Sequence, residues 1–97
     1  MGSERRLSYE NLADLLVNLA DDKEYVVFFE CGDVLGLRAF EMVDESIYGR
    51  HDLCVADIVT PIKCNMSLYP VNTGLQFSLS EIIRVVDAST QETIFLR

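Results

Sequence analysis

The residues able to do chemistry are few and dispersed along the chain. His51 stands beside Asp52, but it is the only histidine. An imidazole beside a carboxylate is the raw material of a general base, yet such a pair on a polar stretch is far more often a solvated surface pair. Cys31, Cys54 and Cys64 together with His51 supply the donor types of a Cys3His zinc site. Their separations of 23 and 10 positions lack the short knuckle that such sites use, so no metal is expected. No G-x-S-x-G turn presents a serine nucleophile, and each cysteine falls on an expected strand facing a core, where it reads as a reduced, buried, small apolar residue. The adjacent acids Asp21-Asp22 and Asp44-Glu45 sit at element ends, where carboxylates are solvated, rather than as two separated groups lining a cleft. Gly32 and Gly36 match neither the dinucleotide fingerprint nor the phosphate loop with its lysine. The expectation is therefore a non-enzyme without catalytic residues, metal or other cofactor.

The elements that would position these residues fit one domain. Ninety-seven residues can bury one core and have no room for a second, so residues 1–97 are expected to form a single unit. An apolar fraction of 49% with 25% charged residues is that of a folding chain. Sixteen acidic residues against eight basic ones give a formal charge of -8, which repels nucleic-acid phosphate and anionic membranes unless cations cluster locally. The cations are scattered, so DNA is not an expected partner. No apolar run reaches the ~18 residues of a membrane span, and no leader pattern opens the chain, so the cytoplasm is the expected compartment.

Leu12, Leu15, Leu16 and Leu19 recur at the helical spacing, predicting an α-helix over about 8–21 with Ser8 as N-cap and Glu10 in its first turn. From about 24 to 96 the period changes. Tyr25 to Phe29 is β-branched and aromatic on both alternating faces, and such a strand must be covered on both. Cys31-Gly32-Asp33 reads as a turn into a partner strand from Val34 to Val43, with Gly36 as a bend or bulge. A strand from Leu53 to Val59 follows. Pro61 is expected to interrupt before a half-buried strand in which Ile62, Cys64, Met66 and Leu68 alternate with polar neighbours. Phe77 to Asp87 reads as a corner feeding a short strand, and Thr93 to Leu96 as one more. One helix and several short strands without a second helix imply a mainly β fold, a small, strongly bent antiparallel β-barrel. An apolar edge left open on such a sheet is usually completed by another chain.

The helix, the segment YVVFFECGDVLGLRAFEMVD, a middle pair of strands and SLSEIIRVVD, spanning about 8–87, resemble the Sm-like family, including its divergent phage-encoded and bacterial members. Gly32, Gly36 and Asp44 resemble the glycines and acidic residue of the family's first signature, with the spacing off by about one. Ser46, Ile47 and Tyr48 stand where the family commonly has a base-contacting Asn, and Ser78-Leu79 where its second signature commonly reads Arg-Gly. The resemblance implies an Sm-like or SH3-like barrel that assembles with itself into a ring of roughly five to seven copies, often with single-stranded RNA at the pore. Tyr48, Arg50 and His51 are the candidate RNA-binding residues, because an aromatic ring and cations on a loop are what single-strand recognition uses. The alternative is a structural or protein-interaction factor that binds no RNA.

Overall fold

The computed structural model describes residues 9–45, 50–65 and 68–97. Helix α1, Tyr9–Val17, is followed by six strands: β1 Tyr25–Phe29, β2 Val34–Glu45, β3 Arg50–Lys63, β4 Gly74–Ser78, β5 Ile82–Asp87 and β6 Thr93–Leu96. A 3-10 turn, Leu79–Glu81, separates β4 from β5. All pairings are antiparallel, in the order β4-β3-β2-β1-β5-β6. The fold is mainly β with one short helix, as the periodicities imply. Among the described residues β4 and β6 do not pair, so the six strands form an open sheet and not a closed barrel.

The leucine stripe docks the helix as expected. Leu12 and Leu16 are fully buried, and Leu15 and Leu19 pack against the same cluster from its margin. The helix ends at Val17 rather than near residue 21. Both the backbone N–H of Asn18 and its side-chain amide donate to the Asp14 carbonyl, and Leu19 N–H then reaches the Leu16 carbonyl in a tighter turn. Asp21 and Asp22 follow with no basic residue in the last helical turn, so the local charge also opposes extension at the negative end of the dipole. Ser8, the expected N-cap, lies outside the described residues.

On β1 the inner residues Tyr25, Val27 and Phe29 are buried, and the outer residues Val26 and Phe28 are half-buried. The Arg84 guanidinium lies 5.2 Å from the centre of the Phe28 ring and is held there by Thr93 Oγ1. A cation stacked on an aromatic face thus supplies part of the outer cover that a two-sided apolar strand requires. The β1–β2 hairpin turns through Glu30, Cys31 and Gly32, closed by Phe29 N–H to the Asp33 carbonyl at 2.9 Å. Gly32 has φ 97°, a conformation that requires glycine, and a Cβ there would also displace the Asn65 side-chain amide.

Strand β3 corrects two expectations. It runs continuously through Pro61 to Lys63, where an interruption was expected. β4 pairs with β3 only between Leu53 and Asp57, and the β2–β3 register slips between Val34 and Leu35, so Pro61 sits on a free side next to a bulge, the positions where a strand tolerates proline. The expected strand beyond Pro61 does not form a half-buried face: Ile62 and Leu68 are 53% and 93% exposed, Cys64 is also exposed, and Met66 lies outside the described residues. Alternation in sequence needs a neighbouring layer to become burial, and none lies over this segment among the described residues.

Lys23 Nζ meets Asp87 Oδ2 at 2.7 Å, tying the approach to β1 to the end of β5. The lysine hydrogen bond, reinforced by the Ser89 and Thr90 N–H groups, holds the Asp87 carboxyl below its usual range, and the same partner raises Lys23. The Asp87 contribution is therefore present above the ordinary carboxylate range and lost as pH falls through its lowered folded value, whereas that of Lys23 is lost only on the alkaline side. Asp87→Asn is expected to flatten the acid limb of a plot of urea midpoint against pH. Leu16→Ala is expected to lower the unfolding free energy by about 2–4 kcal/mol in urea titration, and Val17→Ala, at a half-exposed position, by under about 0.5 kcal/mol.

Candidate functional site

The sequence places its candidate RNA contacts at the β2–β3 connection. Tyr48 lies outside the described residues, as do the side chains of Arg50 and His51; the backbone of both opens β3, with Arg50 paired to Glu45. The described neighbour at this end is Asp52, whose carboxylate accepts from Ser78 Oγ at 2.5 Å. Ser78 caps the 3-10 turn: its hydroxyl accepts from Ser80 N–H, and Glu81 Oε2 accepts from Ser78 N–H at 2.8 Å. This reciprocal pairing is a capping box, which satisfies the N–H groups at the β4–β5 corner. Its groups are occupied with one another, so it reads as a fastening between β3 and the corner.

Next to this corner, with Glu81 in its lining, lies a cleft of about 110 Å³ between β4 and the β1–β2 turn. Phe29, Leu35 and Phe77 form its apolar floor, with the Phe29 and Phe77 rings edge to face at 5.4 Å. Cys31, Tyr69, Gln76 and Glu81 add polar or reactive groups. The cleft is large enough for a single side chain or a similarly small apolar group.

Beside the cleft is the most deeply buried acid of the described residues, Asp33, at 1% exposure. Asp33 Oδ1 accepts the backbone N–H of Asn65 at 2.7 Å, and Oδ2 accepts the Tyr69 hydroxyl. Asn65 Nδ2 in turn donates to the Cys31 carbonyl at 3.2 Å. The carboxyl thus binds the β1–β2 turn to the chain between β3 and β4, by hydrogen bonds that a buried polar group must have. Sequence reasoning passed over Asp33, Asn65 and Tyr69. The signal available was an acid directly after a turn glycine; what could not be read was that a residue some thirty positions on would fold back to it.

The cysteines divide differently from the expectation that all three are buried. Cys54 is buried on β3, and loss of solvation pushes its thiol up to about 11, so it stays protonated at neutral pH. Cys31 and Cys64 are exposed, because one lies on the tip of a turn and the other just past the end of β3. Among the described residues no three His, Cys, Asp or Glu side chains gather where they could hold a metal ion. Likewise, no helix of the described residues is long and apolar enough to cross a membrane.

Comparison with family models, with curated proteins and with solved structures finds no match to this chain. The site must therefore be read from its own chemistry. Tyr69→Phe keeps the ring and removes one hydrogen bond to the buried carboxylate, so a loss of about 1.5–3 kcal/mol is expected in urea unfolding. With a thiol reagent under native conditions, Cys31 and Cys64 are expected to label within the time that leaves Cys54 unmodified, as read by mass spectrometry.

Proposed function

We propose that the chain is an Sm-like binding module that assembles with itself into a closed ring in the cytoplasm. The observation that supports this reading is the open sheet: β4 and β6 each leave one side without a strand partner among the described residues, and they lie at opposite ends of the strand order. Unpaired N–H and C=O groups along an edge template the addition of another strand. A β4 edge of one copy meeting the β6 edge of the next is a head-to-tail contact, which generates a ring where the rotation closes. Leu96, 58% exposed on β6, would gain cover in such a contact. The element order, one helix ahead of a bent antiparallel sheet, is in keeping with the resemblance.

The ligand of this reading is single-stranded RNA, held at the β2–β3 connection by Tyr48, Arg50 and His51 from each copy. Repetition around a ring multiplies a weak local contact, which offsets part of the repulsion from a surface of formal charge -8. That same acidity favours a second reading, in which the assembly contacts protein and no RNA.

Two measurements test the proposal. Light scattering at micromolar concentration is expected to give the mass of roughly five to seven copies, and Leu96→Lys to reduce it without unfolding the chain; a strict monomer would sink the ring. Fluorescence polarisation with U-rich and A-rich oligonucleotides at two salt concentrations is expected to show binding that weakens with salt. An assembled ring that leaves both oligonucleotides free at low salt selects the protein-binding reading.

A further inference from the structure

Two exposed thiols lie on pieces of chain that the structure fastens together. Cys31 stands on the tip of the β1–β2 turn, and Cys64 follows the last residue of β3. Lys63, just before Cys64, pairs with Val34; Asn65, just after it, gives its backbone N–H to Asp33 at 2.7 Å and its side-chain amide to the carbonyl of Cys31 itself at 3.2 Å. Asn65 thus ties the chain next to Cys64 both to Asp33 and to the backbone of Cys31. A disulfide requires a Cα separation of about 4.4–6.8 Å, so oxidation must draw the turn tip and the end of β3 within that span. The third thiol, Cys54, is buried farther back on β3 and stands outside this arrangement.

We propose that Cys31 and Cys64 are a modification site, forming a reversible intramolecular disulfide beside the cleft that Cys31 lines. With glutathione disulfide as oxidant, one cysteine thiolate attacks a glutathione sulfur, breaks its S–S bond and releases one glutathione thiolate. The second cysteine thiolate then attacks the protein sulfur of the mixed disulfide, forming the Cys31–Cys64 bond and expelling the other glutathione thiolate. The protons lost by the two cysteines end on the two glutathione molecules; the protein gives up two electrons and the glutathione disulfide accepts them. The bond ties together the same two segments that Asp33 joins by hydrogen bonds, and it fixes the wall of the cleft that Cys31 and Tyr69 line. The inference does not depend on assembly or on RNA.

The test uses the reduced full chain, equilibrated in glutathione buffers from reducing to oxidising, quenched with acid, alkylated and read by intact mass and peptide mapping. The expected product is a single chain lighter by two hydrogens, with Cys31 and Cys64 in one linked peptide and a melting temperature raised by roughly 10 °C over the reduced form. Cys31→Ser and Cys64→Ser should each lose the intramolecular link and the gain in melting temperature, and stop at the glutathione adduct. Adducts without the link in the unaltered chain, a bridge between two chains, pairing through Cys54, or a linked form that melts no higher than the reduced one overturns the proposal.

Discussion

The bend of the β2–β3 ribbon is the constraint on which the rest of the molecule depends. Strand β3 runs for 14 residues without a break, yet its register against β2 slips repeatedly along that length. The ribbon curls at register slips, between Gly36 and Leu37 and between Arg38 and Glu41, and at the second of these Ala39 takes φ 57°. A residue other than glycine in the left-handed region is strained, and it persists where the packing around it gains more than the strain costs. Here the gain is enclosure. Curling turns Leu35, Leu37 and Phe40 of β2 and Cys54, Ala56 and Ile58 of β3 toward one core, closed above by Leu12 and Leu16 of the helix.

Distant segments meet at two junctions, and both are held by carboxylates. Asp52 joins the start of β3 to the capped corner before β5, and Asp33 joins the first hairpin turn to the chain leaving β3. The two differ in kind. In the corner Ser78 and Glu81 satisfy each other within one turn, while Ser78 also reaches Asp52 and the Glu81 carbonyl accepts from Glu30 N–H of the β1–β2 turn. Asp33 is a buried carboxyl that accepts from groups far from it in sequence, the Asn65 N–H and the Tyr69 hydroxyl, so a change there acts on both segments at once. The exposed Cys31 and Cys64 each lie within two residues of this second junction.

Local pattern disclosed the local structure. The leucine spacing located α1, the change to β-branched and aromatic residues located β1, and Cys31-Gly32-Asp33 located the turn, because each depends on residues within a few positions of one another. The reading failed where a neighbour decides. Pro61 looked like a breaker because sequence does not show that β4 stops at Asp57; Ile62 and Leu68 looked half-buried because sequence does not show that no layer covers them. The sheet's failure to close is a fact of the same kind, set by the distance between two edges. So is the cleft site, assembled from Phe29, Asp33, Tyr69 and Phe77 across the whole length of the sheet.

Net charge and edge geometry set opposing demands on any assembly. A copy carrying a formal charge of -8 repels its neighbour at long range, whereas edge pairing acts only at hydrogen-bond distance. At physiological ionic strength the repulsion is screened beyond about 8 Å, so the balance is struck at the edges themselves. There the composition is mild: β4 reads Gly-Leu-Gln-Phe-Ser and β6 Thr-Ile-Phe-Leu, with no charged residue in either strand. Protected edges in monomeric sheets usually carry lysine, proline or an inward charge. The acids of this chain lie outside these two strands, on the helix, the turns and the strands between, so neither edge strand itself sets a carboxylate against a neighbouring copy.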